Sequence, residues 1–254
     1  MFQNARAHGI DSVELRGITG EHVSPDSPPG DIEAVIRESR ENGVPVLSVT
    51  AYTTFAEESD SAQRENEETL MRYVELAGKL GARYVRSFLY EPRHAAVEGR
   101  DGWDRLYDHM ASSLNRVASA INGSPVKILL ETHGRITCGK LMAPLLERIP
   151  SDQVGVLWDF PHSYHSGESI AESWALMGSR VGYLHVKDDQ AGMDGKTVHR
   201  HVGEGEVPIK EVQQFLMQQG FKGTFCLEWE RKWHPEMPPL LEALPIFTRY
   251  MNGH

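Results

Sequence analysis

Cysteine is scarce: Cys138 and Cys226 are the only two in 254 residues. Two thiols cannot form a disulfide framework for so long a chain, and a reducing, cytoplasmic setting is expected. Long apolar runs are missing too. None reaches the roughly 18 residues a membrane-spanning helix needs, and the opening Met1-Phe2-Gln3-Asn4-Ala5-Arg6 lacks the apolar centre of a secretory signal. Basic charge is in deficit: 26 Lys and Arg face 36 Asp and Glu, a formal net charge of −10. Such a chain repels phosphate backbones, so neither nucleic acid nor membrane is expected as a partner. There is no low-complexity tract and no composition break; the Pro/Gly-containing stretch at 24–30 reads as one loop.

The composition that is present, 40% hydrophobic and 24% charged, is enough to bury a large core. Its length is that of one α/β barrel, so a single domain over residues 1–254 is expected. Seven short apolar runs, at 12–15, 44–49, 82–88, 127–131, 154–159, 181–186 and 224–228, have the length and branched content of buried parallel strands. Helical patterns lie between them. Residues 67–80 place Leu70, Met71, Val74, Ala77 and Leu80 on one face, and 103–121 place Leu106, Met110, Leu114, Val117 and Ile121 on another. Residues 208–220 open on Pro and close on Gly, the usual polarity of a helix.

Strands alternating with helices imply βαβ units and a parallel sheet. The fold expected is a (β/α)8 TIM-type barrel lacking its first strand, because seven strands are visible and the chain opens on what reads as the tail of a helix. The strands carrying Glu14 and Glu228 would then face each other unpaired. Either the gene product begins upstream, or a partner chain or the N-terminal segment is expected to cover the gap.

Four of these strands end in metal-type ligands: Glu131, Asp159, His185 and Glu228. In a barrel the C-terminal strand ends share one face, so residues distant in sequence converge there. Each alone is more commonly a cap, an ion-pair partner or a structural histidine. Together they would bring three mutually repelling carboxylates against one imidazole, a conflict that one divalent cation removes. Three oxygens and one nitrogen suit Mn²⁺ first, with Mg²⁺, Co²⁺ or Zn²⁺ as alternatives. Around them His162, His133, Arg86, Lys187 and Glu14 are candidate substrate-binding residues, and Trp229 and Glu230 flank Glu228.

Several segments in order, Val13-Glu14-Leu15-Arg16, Glu131-Thr132-His133-Gly134, Trp158-Asp159-Phe160-Pro161-His162, His185-Val186-Lys187-Asp188, Gly203-Glu204-Gly205 and Leu227-Glu228-Trp229-Glu230, resemble the sugar phosphate isomerase/epimerase group of the xylose-isomerase-like barrels, which also includes endonuclease IV. The resemblance covers essentially the whole chain. It implies that the matching Glu131, Asp159, His185 and Glu228 bind one divalent metal and that Glu131 and Glu228 form the acid/base pair. The chain departs from ketose 3-epimerases at Thr137 and Ala191, where they carry a second Glu and an Arg. It departs from endonuclease IV at the second and third strand ends, which lack histidine; only His199 matches that family's Asp-Arg-His stretch, and residues 199–201 read as loop.

The reaction expected is proton transfer next to a carbonyl of a small carbohydrate, through a metal-stabilised enediolate, with Glu131 and Glu228 exchanging the proton. Returned to the opposite face, the proton gives an epimer; returned to the neighbouring carbon, the aldose–ketose isomer. The runner-up is a dehydratase or lyase acting on a keto-sugar or keto-inositol, in which His162 or His133 protonates the leaving oxygen. A nuclease and a non-catalytic sugar-binding module rank lower. A homo-oligomer is compatible with all of these.

Overall fold

The computed structural model describes all residues except Thr19, residues 92–93, residues 193–196 and His254. Seven parallel strands follow the apolar runs: β1 (Val13–Arg16), β2 (Val46–Thr50), β3 (Tyr84–Ser87), β4 (Lys127–Glu131), β5 (Val154–Asp159), β6 (Val181–Val186) and, after a hairpin of β7 (Asp188–Ala191) and β8 (Thr197–Arg200), β9 (Thr224–Leu227). Their order is β1-β2-β3-β4-β5-β6-β9, each hydrogen-bonded in parallel to the next. The helices are α1 (Phe2–Ala7), α2 (Pro29–Asn42), α3 (Asp60–Leu80), α4 (Gly99–Ala120), α5 (Gly139–Glu147), α6 (Phe160–His165), α7 (Ile170–Met177), α8 (Ile209–Gln218) and α9 (Leu240–Asn252). This is the expected TIM-type barrel with seven of its strands in place.

Alternation along the strands divides the core in two. Leu129, Leu157 and Tyr183 pack with Leu47, Tyr84 and Cys226 inside the barrel. Their neighbours Ile128, Leu130, Val154, Val156 and Leu184 join the larger shell between sheet and helices. Leu70, Val74, Ala77 and Leu80 of α3 and Met110, Leu114 and Val117 of α4 are buried on that shell, as their spacing predicts. The side chain of Ser59 accepts a hydrogen bond from Ala62 N to start α3, and Gly81 ends it in the left-handed region at φ 71°.

Among the described residues, β1 and β9 pair on one side only. The gap between them opens into a cavity of about 1190 Å³, walled by Asn4 and Ala5 of α1 and by Leu244, Phe247 and Met251 of α9. The N-terminal helix therefore flanks the opening without supplying a strand. On the rim of β1, Arg16 N donates to His22 Nδ1 at 3.0 Å, so a side chain occupies that donor.

The hairpin departs from expectation. His199 and Arg200, read from sequence as loop, lie in β8, where Asp189 pairs with His199 and Asp188 with Arg200. Asp188 also fixes the turn beyond β8: its Oδ2 accepts from Gly203 N at 2.8 Å and Gly205 N at 3.0 Å, and its Oδ1 from Val207 N at 3.2 Å. Neither strand is apolar, so no period-two signal marks them in the sequence.

Candidate metal centre at the barrel mouth

The same alternation that sends Leu129, Leu157, Tyr183 and Cys226 into the barrel points the residues two positions on, Glu131, Asp159, His185 and Glu228, inward at the mouth. Asp159 and His185 are register partners, and Glu228, just past β9, is tied by its N–H to Val186 O at 2.9 Å. His185 Nδ1 stands 3.4 Å from Glu131 Oε1, 3.5 Å from Glu228 Oε1 and 3.9 Å from Asp159 Oδ2. One donor atom from each of the four lies within 4.8 Å of all the others.

The donors fit one divalent ion. Glu131, Asp159 and His185 are buried, yet Asp159 Oδ1 and His185 Nδ1 have no directed hydrogen bond, and Glu131 Oε2 has only its ion pair with Arg86. Buried polar atoms left in this state are costly unless something else satisfies them. The other imidazole nitrogen is engaged: His185 Nε2 lies 3.0 Å from Glu14 Oε1, and the Tyr183 hydroxyl donates to Glu14 Oε2. With Glu14 accepting from Nε2–H, Nδ1, the nitrogen that faces the carboxylates, is the one left to give its lone pair to an ion. This is the carboxylate–histidine arrangement that commonly sets the orientation of a metal-binding imidazole.

Two cations flank the cluster. Arg86 Nε lies 3.0 Å from Glu131 Oε2, its guanidinium over the rings of Phe88 at 4.0 Å and Tyr52 at 4.9 Å. Lys187 Nζ donates to Asp159 Oδ2 at 2.6 Å and to Glu228 Oε2 at 2.7 Å, and is 3.5 Å from Glu230 Oε1. Burial pushes the Glu131 carboxyl up, but Arg86 and His185 outweigh it and hold it down at about 2. Burial dominates at Asp159, which rises to about 7 despite Lys187. At Glu228 burial is outweighed by Lys187 and His185, and its carboxyl stays well below the usual range. Burial disfavours the charged forms of His185 and Lys187, but the carboxylates around them raise both.

The histidines at the rim differ. Burial, and then Lys187, push His162 down to about 3, so its imidazole is neutral; its Nε2 lies 3.5 Å from Asp159 Oδ2 and 3.4 Å from Lys187 Nζ. Burial also works against charge on His133, but Glu91, 2.9 Å from Nδ1, raises it. The two rings meet edge to face at 5.0 Å. Gly134 makes this possible: its φ of 62° and the closeness of Tyr90 O to where a Cβ would sit suit glycine alone, and the turn brings His133 to Glu91. Glu14, Arg86, His133 and Glu228 all line the large cavity. Thr137, by contrast, does not line that cavity and shares a 2.7 Å hydrogen bond with Ser166.

Three residues of this neighbourhood escape sequence reasoning. Tyr183 was legible in principle, since it lies two residues before His185 on one strand face. Glu91 and His234 lie in loops, where no periodicity announces them.

Among curated proteins the chain is similar to fructoselysine 3-epimerase of Shigella flexneri, 20% identical over 239 residues that cover 89% of this chain and 83% of the relative. It is also similar to a probable endonuclease 4 of Persephonella marina, 22% identical over 238 residues, covering 84% of this chain and 82% of that protein. Among solved structures, IolI protein with a bound zinc atom superposes with a TM-score of 0.79 at 16% identity, over 98% of this chain and 89% of its own. Other structures of the same fold are described as sugar 3-epimerases and as a probable dehydratase. A family match running over residues 2–249, together with this strand order, makes the chain a member of the xylose isomerase-like TIM barrel family.

Proposed function

We propose that the protein is a divalent-metal-dependent isomerase or epimerase of a small sugar or sugar derivative. The observation that carries this reading is the convergence of Glu131, Asp159, His185 and Glu228 on one point at the mouth of a cavity that Glu228 also lines. The likeness to a fructoselysine epimerase supports the same class. Mn²⁺ is the ion we assign, with Mg²⁺, Co²⁺ and Zn²⁺ as competitors for the same three oxygens and one nitrogen. Bound there, such an ion polarises a carbonyl and offsets the negative charge that develops once the neighbouring proton leaves.

The residues divide the remaining work. Glu228, the ligand that reaches the cavity, takes the proton from the carbon next to the carbonyl; Glu131, deeper and held by Arg86, is the second carrier and returns a proton that it first draws from water. Glu14 acts through His185, fixing its tautomer, and Lys187 orients Asp159 and Glu228. Arg86, His133 and His162 border the space where sugar hydroxyls would be held. Incubating Mn²⁺-loaded protein with ketoses, inososes and 3-keto sugars in D₂O tests the reading. Deuterium entering beside the carbonyl is expected, and a protein that binds sugar without any exchange would be a binding module instead.

One observation favours the lyase reading as second choice. His133, raised by Glu91 and facing the cavity, is placed to protonate a leaving oxygen. A product lighter by one water in the same incubations would identify it.

A further inference from the structure

A second cluster lies above the first. His199 on β8 and the turn after β9 converge on one carboxylate oxygen: Glu230 Oε2 is 3.6 Å from His199 Nε2 and 3.7 Å from His234 Nε2. Glu230 and His234 share a side because a single helical turn joins them, with His234 N donating to Glu230 O at 3.0 Å. The three donor atoms lie within 4.8 Å of one another.

We infer that His199, Glu230 and His234 form a second divalent-metal site, distinct from the mouth site, suited to a borderline ion such as Zn²⁺ or Co²⁺. Both imidazole nitrogens approach the same oxygen at separations too long for hydrogen bonds. Ligands about 2.1 Å from a tetrahedral ion are about 3.4 Å apart, close to the spacing found here. Two histidines and one carboxylate are a common zinc donor set that leaves the fourth position open. The far side of His234 is occupied as such a ligand requires: its Nδ1 lies 3.3 Å from Glu236 Oε1, an acceptor that would hold the proton there and leave Nε2 free to bind.

The surrounding frame is built independently of an ion. The indole of Trp229 stacks on His201 at 5.4 Å with the rings 9° apart, and its Nε1 donates to Pro238 O at 2.9 Å. The hairpin and the segment after β9 are thus already in register. The site would clasp them over the mouth, and Glu230 Oε1, 3.5 Å from Lys187 Nζ, connects it to the first cluster.

The test uses untagged, chelator-stripped protein titrated with Zn²⁺ and, in parallel, with Co²⁺, whose visible absorption reports coordination number. Wild-type protein is expected to take up two equivalents. His234→Ala should take up one and lose the absorption of the low-coordinate Co²⁺, while Asp159→Asn should lose the other equivalent and keep that absorption. Glu236→Ala should weaken the second equivalent about 10–100-fold without removing it. The inference is overturned if wild-type protein saturates at one equivalent that disappears in Asp159→Asn, or if His234→Ala, with an unchanged circular dichroism spectrum, binds as wild type does. Because neither His199 nor His234 belongs to the mouth site, failure here leaves the proposed reaction standing.

Discussion

His185 and Glu14 are 171 positions apart in the chain, and Nε2 of the one lies 3.0 Å from Oε1 of the other. That contact joins β6 to β1 across the barrel and holds the imidazole with Nδ1 toward the carboxylates. Glu14→Gln removes the charge but keeps an oxygen. It is expected to weaken metal binding at the mouth about 10–100-fold, measured by calorimetric titration of Mn²⁺. An unchanged affinity would mean that His185 needs no help in orientation.

Glu228→Gln should keep metal and lose turnover. The amide retains an oxygen for coordination and cannot carry a proton, so a rate loss of about 10²- to 10⁴-fold is expected. Glu131→Gln belongs in the same experiment, since the two proton carriers can be told apart by which variant still exchanges a single deuterium with solvent. Near wild-type turnover by Glu228→Gln would remove it from the proton path.

Lys187→Met leaves Asp159 and Glu228 without the ammonium that bridges them. Removing one partner from a buried ion network costs about 3–5 kcal/mol. The metal-free variant should therefore unfold at lower denaturant, and saturating Mn²⁺ should recover part of the difference by binding the same carboxylates. Equal midpoints for wild type and variant in chelator would refute this.

Asp159 gives a pH dependence of opposite sign with and without metal. Burial lifts its carboxyl from 3.8 to about 7, so between these values the folded, metal-free protein holds a proton that the unfolded chain has released. Its contribution to stability is complete below about 3.8 and is lost as pH rises to about 7. A metal ion requires the ionised form, so apparent affinity should rise with pH over the same window. Asp159→Asn should flatten the stability slope relative to wild type; a slope unchanged by that substitution would contradict the assignment.

How legible was all this in the residues alone? The bounds of β4, β5 and β6 coincide with the apolar runs at 127–131, 154–159 and 181–186, because these strands are covered on both faces and carry polar side chains only at or next to their ends. β1 and β3 were blurred by a residue or two at their ends, where polar neighbours continue the extended backbone. The hairpin was invisible, since Asp188-Asp189-Gln190-Ala191 has no apolar face and is fixed by its pairing with β8 and by the carboxylate of Asp188. Glu131, Asp159, His185 and Glu228 could be read because strand ends and parallel order suffice to gather them. The contact between Glu14 and His185 could not, because it depends on how far the barrel curls back on itself. The cluster of His199, Glu230 and His234 depends on the hairpin and was hidden with it.

The unjoined flank gives this sheet two ends in a fold that ordinarily has none. Amide protons of β4, β5 and β6, held between neighbours on both sides, can leave only through large openings of the barrel, whereas those of β1 and β9 that face the gap can exchange by local fraying. Glu131 and Asp159 thus ride on strands paired on both sides, and Glu228 sits just beyond a strand paired, among the described residues, on one. The two proposed proton carriers are mounted on strands of unequal pairing, and the one with an open flank bears the group that meets the cavity.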